Sequence, residues 1–151
     1  MKPNYKRPKI LDISLTEKQV TSGVLDAAKM FGFELKRNNV GMATGASGRP
    51  VRFGESGDTD WRDTVPMGPN RGRTVGVEIK RENFDPAKLK GDKRAHFDRQ
   101  LHKMKYLNER GGIAFWVQDA RDAARVFQLI AMEPGLKIEI DAIGFCTMIY
   151  G

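Results

Sequence analysis

The chain has 151 residues, of which 40% are hydrophobic and 30% are charged, and its formal net charge is +7. This composition is typical of a soluble globular protein, and the length predicts one domain that can bury a core without disulfide bonds. The only cysteine, Cys146, excludes an internal disulfide, so we expect a reducing compartment and a cytoplasmic protein. The basic start runs into Ile10-Leu11-Asp12-Ile13, which is too short for a signal peptide, and no stretch approaches the roughly 20 apolar residues of a membrane span.

The positive charge is unevenly distributed along the chain. Residues 1–9 carry four Lys/Arg and no acidic residue, residues 71–110 carry 12 Lys/Arg against 6 Asp/Glu, and the rest of the chain is net negative. A basic segment of this kind attracts polyanions such as nucleic acids through counterion release. The same charge equally fits a solvated surface that keeps the protein soluble.

The first third of the chain predicts a basic arm, one helix and two strands. Prolines in residues 1–13 oppose a helix, and we take this stretch as an irregular arm before a single domain of residues 14–151. Ser14-Leu15-Thr16-Glu17 is a capping-box pattern, and the apolar positions after it predict an amphipathic helix that ends at Gly32. Residues 33–37 and 51–53 predict strands that pair as a hairpin.

Two loops follow from the turn-forming residues. The spacing of the glycines in residues 41–48 matches neither a dinucleotide-binding fingerprint nor a phosphate loop, so no organic cofactor is expected. Residues 54–72 are expected to form a loop, and they carry three carboxylates, Asp58, Asp60 and Asp63.

The second half predicts a strand, a helix, a strand, a helix and a strand-like tail. Residues 73–80 predict a short buried strand, residues 81–94 a surface loop, and residues 95–110 a helix with Phe97 and Met104 inward. The apolar residues 112–117 predict a central strand buried on both faces. Asp119 caps a third helix, and the uncharged residues 142–150 give an edge that either the core or a second copy covers. The predicted class is α/β, with a mixed sheet flanked by helices in the order α-β-β-β-α-β-α plus the tail.

The predicted strand at residues 73–80 carries an acid and a base on one face. Because side chains alternate along a strand, Glu78 and Lys80 share a face, while Val77 and Ile79 point into the core. A carboxylate from the preceding loop, Asp58 or Asp60, would meet Glu78 if the two segments are neighbouring strands. Such a Glu-x-Lys pair also occurs by chance, and its weight depends on the residues around it.

Two further polar residues are predicted to face the same region. Glu17 lies on the inward stripe of the first helix, where a carboxylate can cap the helix, bind a metal ion, or do both. Gln100 lies beside the apolar face of the second helix. His96 and His102 are six residues apart, which is poor spacing for a shared metal, and no cysteines complete a zinc site.

These residues, in this order, resemble the VRR-NUC family of the PD-(D/E)xK nuclease superfamily. The resemblance covers roughly residues 17–127 and rests on short motifs, namely Arg37-Asn38-Asn39-Val40-Gly41, Arg49-Pro50-Val51-Arg52-Phe53-Gly54, Gly57-Asp58-Thr59-Asp60, Val77-Glu78-Ile79-Lys80, a Gln on the next helix, and Gly111-Gly112 before an apolar strand. It implies a restriction-endonuclease-like core and hydrolysis of phosphodiester bonds in DNA.

The resemblance also implies roles for individual residues. Asp60 takes the place of the family's Pro-Asp aspartate, with Thr59 where proline is usual, and this favours Asp60 over Asp58. Asp60, Glu78 and the backbone carbonyl of Ile79 would bind Mg²⁺ or Mn²⁺, with Glu17 contributing directly or through water. Lys80 would orient the attacking water or stabilise the developing oxyanion, and Gln100 completes the catalytic set.

DNA and a second copy of the chain are the expected partners. Ten residues are expected to contact phosphates without reading sequence, namely Arg37, Asn39, Arg52, Arg81, Lys88, Lys90, Lys93, Arg94, Arg99 and Lys103. The family resemblance implies a homodimer that cuts branched DNA such as four-way junctions. Two other interpretations stay open, namely a non-catalytic nucleic-acid-binding protein on a nuclease-like fold, and a small α/β protein whose Glu78 and Lys80 merely pair at the surface.

Overall fold

The computed structural model describes residues 14–38, 41–44, 48–53 and 59–151, with the backbone alone for residues 41–44 and 50–53. Over these residues the protein is mixed α/β, with three α-helices, a four-stranded mixed sheet and two separate hairpins. The predicted class is therefore confirmed at this level. The predicted arm of residues 1–13 lies outside the described residues.

The main sheet has the strand order β1-β4-β5-β6. Its strands are β1 (Lys36–Arg37), β4 (Trp61–Thr64), β5 (Thr74–Ile79) and β6 (Ile113–Val117). β4 is antiparallel to both β1 and β5, whereas β5 and β6 are parallel. Because β5 has a strand on either side and helices over both faces, residues 75–79 are all buried.

Alternation along β5 directs its side chains into two cores. Val75, Val77 and Ile79 belong to the larger core, which α1 (Glu17–Met30) and α3 (Ala120–Met132) cover. The opposite face of the sheet packs against α2 (Gly91–Glu109), which supplies Phe97, Leu101 and Met104 to the smaller core. The sheet is thus the middle of three layers, as the sequence predicts, and it presents the even-numbered residues of β5 to α2.

Gly76 has to be glycine because of what lies above it. A Cβ atom at this position would come within 2.6 Å of Thr59 Oγ1 and 3.3 Å of Leu107 Cδ2. Any residue with a side chain at this position would collide with Thr59, in the segment before β4, and with Leu107 of α2. The close approach brings Thr59, and with it Asp60, against the buried strand.

The helices begin where their caps are satisfied. In α1 the capping box joins Thr16 and Gln19, with Gln19 N donating to Thr16 Oγ1 and Thr16 N donating to Gln19 Oε1. The predicted box of Ser14 and Glu17 was therefore wrong by two residues, because both pairs have the required spacing. In α3 Asp119 caps the helix by accepting from Asp122 N, which confirms the prediction.

α2 begins at Gly91, four residues before the predicted start, after a 3-10 turn at Pro86–Lys88. Its first turn is mostly exposed and contains no apolar residues. The apolar periodicity that predicts a helix is therefore missing there. The predicted surface loop of residues 81–94 is consequently shorter than expected.

Several predictions about the strands were wrong. Residues 41–44, predicted as part of a loop, form the strand β2. Residues 61–64, predicted as loop, form β4, whose side chains alternate between half-buried and exposed. β1 pairs with β4 and not with residues 51–53, and β3 (Pro50–Phe53) instead pairs with β2 (Gly41–Thr44). In the part of the chain that the structure describes, β6 pairs only with β5, so it is an edge strand that helices bury on both faces.

The C-terminal residues form a hairpin of β7 (Lys137–Ile140) and β8 (Cys146–Ile149). Trp116 Nε1 donates to the carbonyl oxygen of Gly144 at 2.5 Å, and Cys146 and Met148 pack against the larger core. The outward side chains remain exposed, namely Ile143, Phe145, Ile149 and Tyr150. Across residues 14–38, 41–44, 48–53 and 59–151, no helix is long and apolar enough to span a membrane.

Candidate active site

Asp60 and Glu78 meet because β4 and β5 are neighbouring antiparallel strands. Trp61 pairs with Val77. In an antiparallel pair this register places Asp60, the residue just before β4, beside Glu78 of β5. The Asp60 backbone N–H donates to Glu78 Oε2 at 3.2 Å. The charge of the Asp60 carboxyl group also acts on the Glu78 carboxyl group.

Glu78 is a buried carboxyl group with a strongly shifted pKa. It is only 2% exposed. Burial and the nearby charge of Asp60 raise the pKa of Glu78 from its ordinary 4.5 to about 7, although Lys80 opposes the shift. Two adjacent carboxylates cannot both ionise cheaply in such a place unless a proton or a cation compensates them.

Gln100 connects the acid to the base. Its Nε2 donates to Glu78 Oε1 at 2.8 Å, and its Oε1 accepts from Lys80 Nζ at 2.8 Å. The Lys80 Nζ also lies 3.6 Å from Glu78 Oε1. Gln100 is 5% exposed and lies on the face of α2 that covers β5, so helix packing holds both side chains in place.

Two phenylalanine rings, which the sequence did not single out for the site, hold Lys80 from the other side. The Lys80 Nζ lies 5.3 Å from the ring centroid of Phe84 and 5.3 Å from that of Phe97. A cation over aromatic faces is attracted by the ring quadrupole. The sequence signal that could have indicated this contact is Phe84, an aromatic residue four positions after Lys80 in a segment predicted as a loop.

Glu17 lies at the edge of this cluster and not inside it. It is the first residue of α1 and is exposed, so the inward orientation predicted from its spacing was wrong. A hydrogen-bonded clamp fixes this end of α1, since Leu15 N donates to Glu82 Oε2 and Glu82 N donates to the carbonyl oxygen of Leu15. Glu17 nevertheless lines a cleft with Asp60 and Ile79, and it also lines a second cleft with Lys80.

The oxygen atoms around Asp60 and Glu78 are of a type that fits a hard divalent cation. Asp60, Glu78 and the Ile79 carbonyl offer the ligand type that Mg²⁺ and Mn²⁺ prefer. Burial and the nearby charge of Asp60 raise the pKa of Glu78, and a cation beside the pair would favour the ionised form of both carboxyl groups. Among the described residues, no group of three or more His, Cys, Asp or Glu side chains is close enough together to hold a metal ion. A cation here would therefore have two carboxylates and would keep several waters, which is usual for Mg²⁺.

The residues predicted to contact phosphates fall into three groups. Arg37 lies beside Asp60 in the first cleft, and Arg81 and Lys93 lie beside Lys80 in the second. Arg94 is already engaged, because its guanidinium contacts Asp98 and the carbonyl oxygens of Pro86 and Ala142. The remaining described members lie on or near α2, with Lys88, Lys90 and Arg99 exposed and Lys103 half-buried.

Some predicted site residues lie outside the described part. Asn39 and Asp58 are among them, so of the two alternatives Asp58 and Asp60 only Asp60 is described. The Arg52 backbone lies in β3, and its side chain is outside the described atoms.

Comparison of the chain with protein-family models, with curated proteins and with solved structures finds no match in any of the three.

Proposed function

We propose that the protein is a metal-dependent DNA endonuclease with a restriction-endonuclease-like core, of the VRR-NUC type that its motifs resemble. The observation that supports this proposal is the single cluster of Asp60, Glu78, Lys80 and Gln100, drawn from two strands and one helix. Two carboxylates can hold a divalent cation, and an ammonium group beside them can stabilise developing negative charge, which together suit metal-dependent phosphodiester hydrolysis.

Each side chain has a role in the proposed reaction. Asp60, Glu78 and the Ile79 carbonyl would hold Mg²⁺ or Mn²⁺, which when bound polarises the scissile phosphate and acidifies a water. Lys80 orients the attacking water and stabilises charge that develops on the phosphate oxygens. Gln100 is a positioning residue, because it fixes both the Glu78 carboxyl group and the Lys80 ammonium group. Glu17, exposed at the cleft, contributes through water.

The surroundings of the cluster favour a polyanionic substrate. Residues 71–110, which include β5 and α2, carry 12 Lys/Arg against 6 Asp/Glu. Contacts from these side chains would position a DNA backbone without reading bases. We propose selection by DNA structure, such as a branch or a four-way junction, and action in the cytoplasm.

Incubation with four DNA substrates tests the proposal. Junction, flap, duplex and single-stranded DNA are each treated with the protein in Mg²⁺ and in chelator. The wild-type protein is expected to cut at least one of them in Mg²⁺ alone, and Asp60→Ala to cut none. Asp26→Ala is the matched control, because Asp26 is an exposed aspartate on α1, and it should cut like the wild type. Cleavage that survives both chelation and Asp60→Ala would refute the metal-dependent mechanism.

The second candidate is a non-catalytic nucleic-acid-binding protein on the same fold. It predicts salt-sensitive DNA binding without cleavage under any condition.

The interpretation of Glu78 and Lys80 as a surface ion pair is wrong, because the two side chains are only 3% and 13% exposed. A buried pair with a shared glutamine is an expensive arrangement, and function explains its presence better than stability does.

We also propose that two copies associate through the C-terminal hairpin. β8 has β7 as its one strand partner among the described residues, and Phe145, Ile149 and Tyr150 are exposed beside it. Residues 142–151 carry no charge, so two chains of net charge +7 can approach there with the least repulsion. Light scattering should give the mass of a dimer for the wild type and of a monomer for Ile149→Lys.

A further inference from the structure

Two clefts meet at Glu17, and the second of them has features that metal binding does not use. The first contains Asp60 and Ile79, whereas the second, of about 430 Å³, contains Lys80. The floor of the second cleft is apolar and consists of Phe84 and Leu89, which are half-buried, with Phe97, only 2% exposed, beneath them. Its volume lies within the range of about 300–1,000 Å³ that small-molecule sites occupy.

Ring contacts support the floor of this cleft from behind. The Phe84 ring contacts Phe97 edge to face, with centroids 5.1 Å apart, and it contacts Trp116 in the same way at 5.3 Å. Trp116 is itself held by its hydrogen bond to Gly144. An aromatic surface that is fixed from behind costs little entropy when a ligand packs against it.

The rim of the cleft carries three cationic side chains, two acidic ones and a histidine, His96. Lys80, Arg81 and Lys93 line it, together with the acidic Glu17 and Asp92. Lys93 lies in the first turn of α2, whose N-cap, Lys90, provides no side-chain cap, so the partly positive end of the helix dipole adds to the field. An occupant of this cleft therefore needs an apolar face for the floor and a negative charge for the rim.

We propose that the second cleft binds the base of one unpaired nucleotide of the DNA substrate, with its phosphate at Lys80. The inference rests on the proposed nuclease function and narrows its substrate to DNA that offers an unpaired nucleotide beside the scissile bond. A base has flat apolar faces that pack on aromatic floors, and its phosphate supplies the anion. A free phosphate would use only the rim, and an uncharged apolar ligand would use only the floor.

Lys80 connects the second cleft to the catalytic cluster. Its Nζ bonds to Gln100 in the catalytic cluster and lies over Phe84 and Phe97 at the floor. A nucleotide seated on that floor places its phosphate next to the proposed reaction centre. A base inside a duplex cannot reach the floor without leaving its stack, which costs energy, so paired DNA is a poorer substrate.

Cleavage of matched substrates tests this inference. Two oligonucleotides differ only at the unpaired residue beside the cut, which is a normal nucleotide in one and an abasic analogue in the other. Loss of the base should lower kcat/KM by about tenfold or more. Leu89→Glu, which puts a negative charge on the floor, should cut both substrates equally slowly, whereas the exposed-site control Met132→Glu should discriminate as the wild type does.

A binding measurement separates failure of the inference from failure of the nuclease proposal. An oligonucleotide with 2-aminopurine at the unpaired position is titrated with protein in chelator, where no cutting occurs. A fluorescence change with the wild type and Met132→Glu, but not with Leu89→Glu, supports the cleft even if no DNA is ever cut. Equal cleavage of the normal and abasic substrates, or no fluorescence change, overturns it. Displacement of the reporter by an acidic phenylalanine-containing peptide at lower concentration than by unlabelled oligonucleotide also overturns it.

Discussion

The Nζ of Lys80 and the Oε1 of Gln100 lie 2.8 Å apart, although the two residues are 20 positions apart in the chain. Because lysine can only donate hydrogen bonds, this contact turns the amide nitrogen of Gln100 toward Glu78. The glutamine thus fixes the relative position of an acid and a base that share one strand face.

Replacement of Gln100 by alanine should impair both the fold and the reaction. The change leaves Glu78 and Lys80 with one hydrogen bond fewer each in a buried place, so the free energy of unfolding should fall by about 1–3 kcal/mol. Cleavage should slow by about 10–100-fold, as is usual when a side chain that supports a metal ligand is lost. Urea unfolding and single-turnover cleavage measure the two effects. The matched control is Gln128→Ala on the exposed face of α3, and equal results for the two variants would contradict the role.

The titration of Glu78 should make the metal-free protein less stable as pH rises. Its folded pKa of about 7 lies above the ordinary 4.5, so between these values the folded state binds more protons than the unfolded state. The free energy of unfolding should therefore fall through this window by about 3 kcal/mol and then level off. Urea unfolding from pH 4 to pH 8 measures it as the difference between wild type and Glu78→Gln. Glu139→Gln, at an exposed position, should keep the wild-type slope, and a wild-type slope in Glu78→Gln would disprove the assignment.

Divalent cations should stabilise the folded protein through Asp60 and Glu78. A ligand that binds only the folded state raises the free energy of unfolding by about 2.7 kcal/mol when its free concentration is about 100 times its Kd. The melting temperature should therefore rise with Mg²⁺ or Mn²⁺, and more at pH 8 than at pH 5, because protonation of Glu78 competes with the cation. Differential scanning fluorimetry measures the shift. Asp60→Asn should abolish it, and Asp26→Asn should leave it intact, whereas an unchanged shift in Asp60→Asn would place the cation elsewhere.

Thr59 presents a buried hydroxyl group that costs stability. It is 4% exposed, and its Oγ1 has no hydrogen-bond partner among the residues that the structure describes. Thr59→Val keeps the shape and removes the unpaired group, so the free energy of unfolding should rise by about 1–2 kcal/mol. Thr147→Val on exposed β8 should change it by less than about 0.5 kcal/mol. A less stable Thr59→Val protein would show that the hydroxyl has a partner.

The sequence predicted those parts of the site that depend on local periodicity. Alternation along β5 is enough to place Glu78 and Lys80 on one face and Val77 and Ile79 in the core. The apolar spacing of α2 similarly placed Gln100 toward the sheet. These predictions succeeded because strand and helix periods act over a few residues.

Strand pairing was harder to predict because it depends on distant segments. β4 is four residues long and contains Arg62 and Asp63, so it carries no hydrophobic signal, yet it is the strand that brings Asp60 to Glu78. The position of Glu17 depended on which of two capping boxes forms, a choice that Thr16 and Gln19 decide.

The most direct test of the central claim is the cleavage rate of Lys80→Ala in Mg²⁺ beside its affinity for the same DNA in chelator. Lys29→Ala, an exposed lysine on α1, is the matched control, and Lys80→Met keeps an apolar stem over the rings if alanine unfolds the chain. We predict that Lys80→Ala cuts about 10²–10⁴-fold more slowly than the wild type, whereas its Kd for DNA rises by less than about tenfold, because only one of several phosphate contacts is lost. A Lys80→Ala protein that cuts at the wild-type rate, or a wild-type protein that cuts no DNA in Mg²⁺, would contradict the claim.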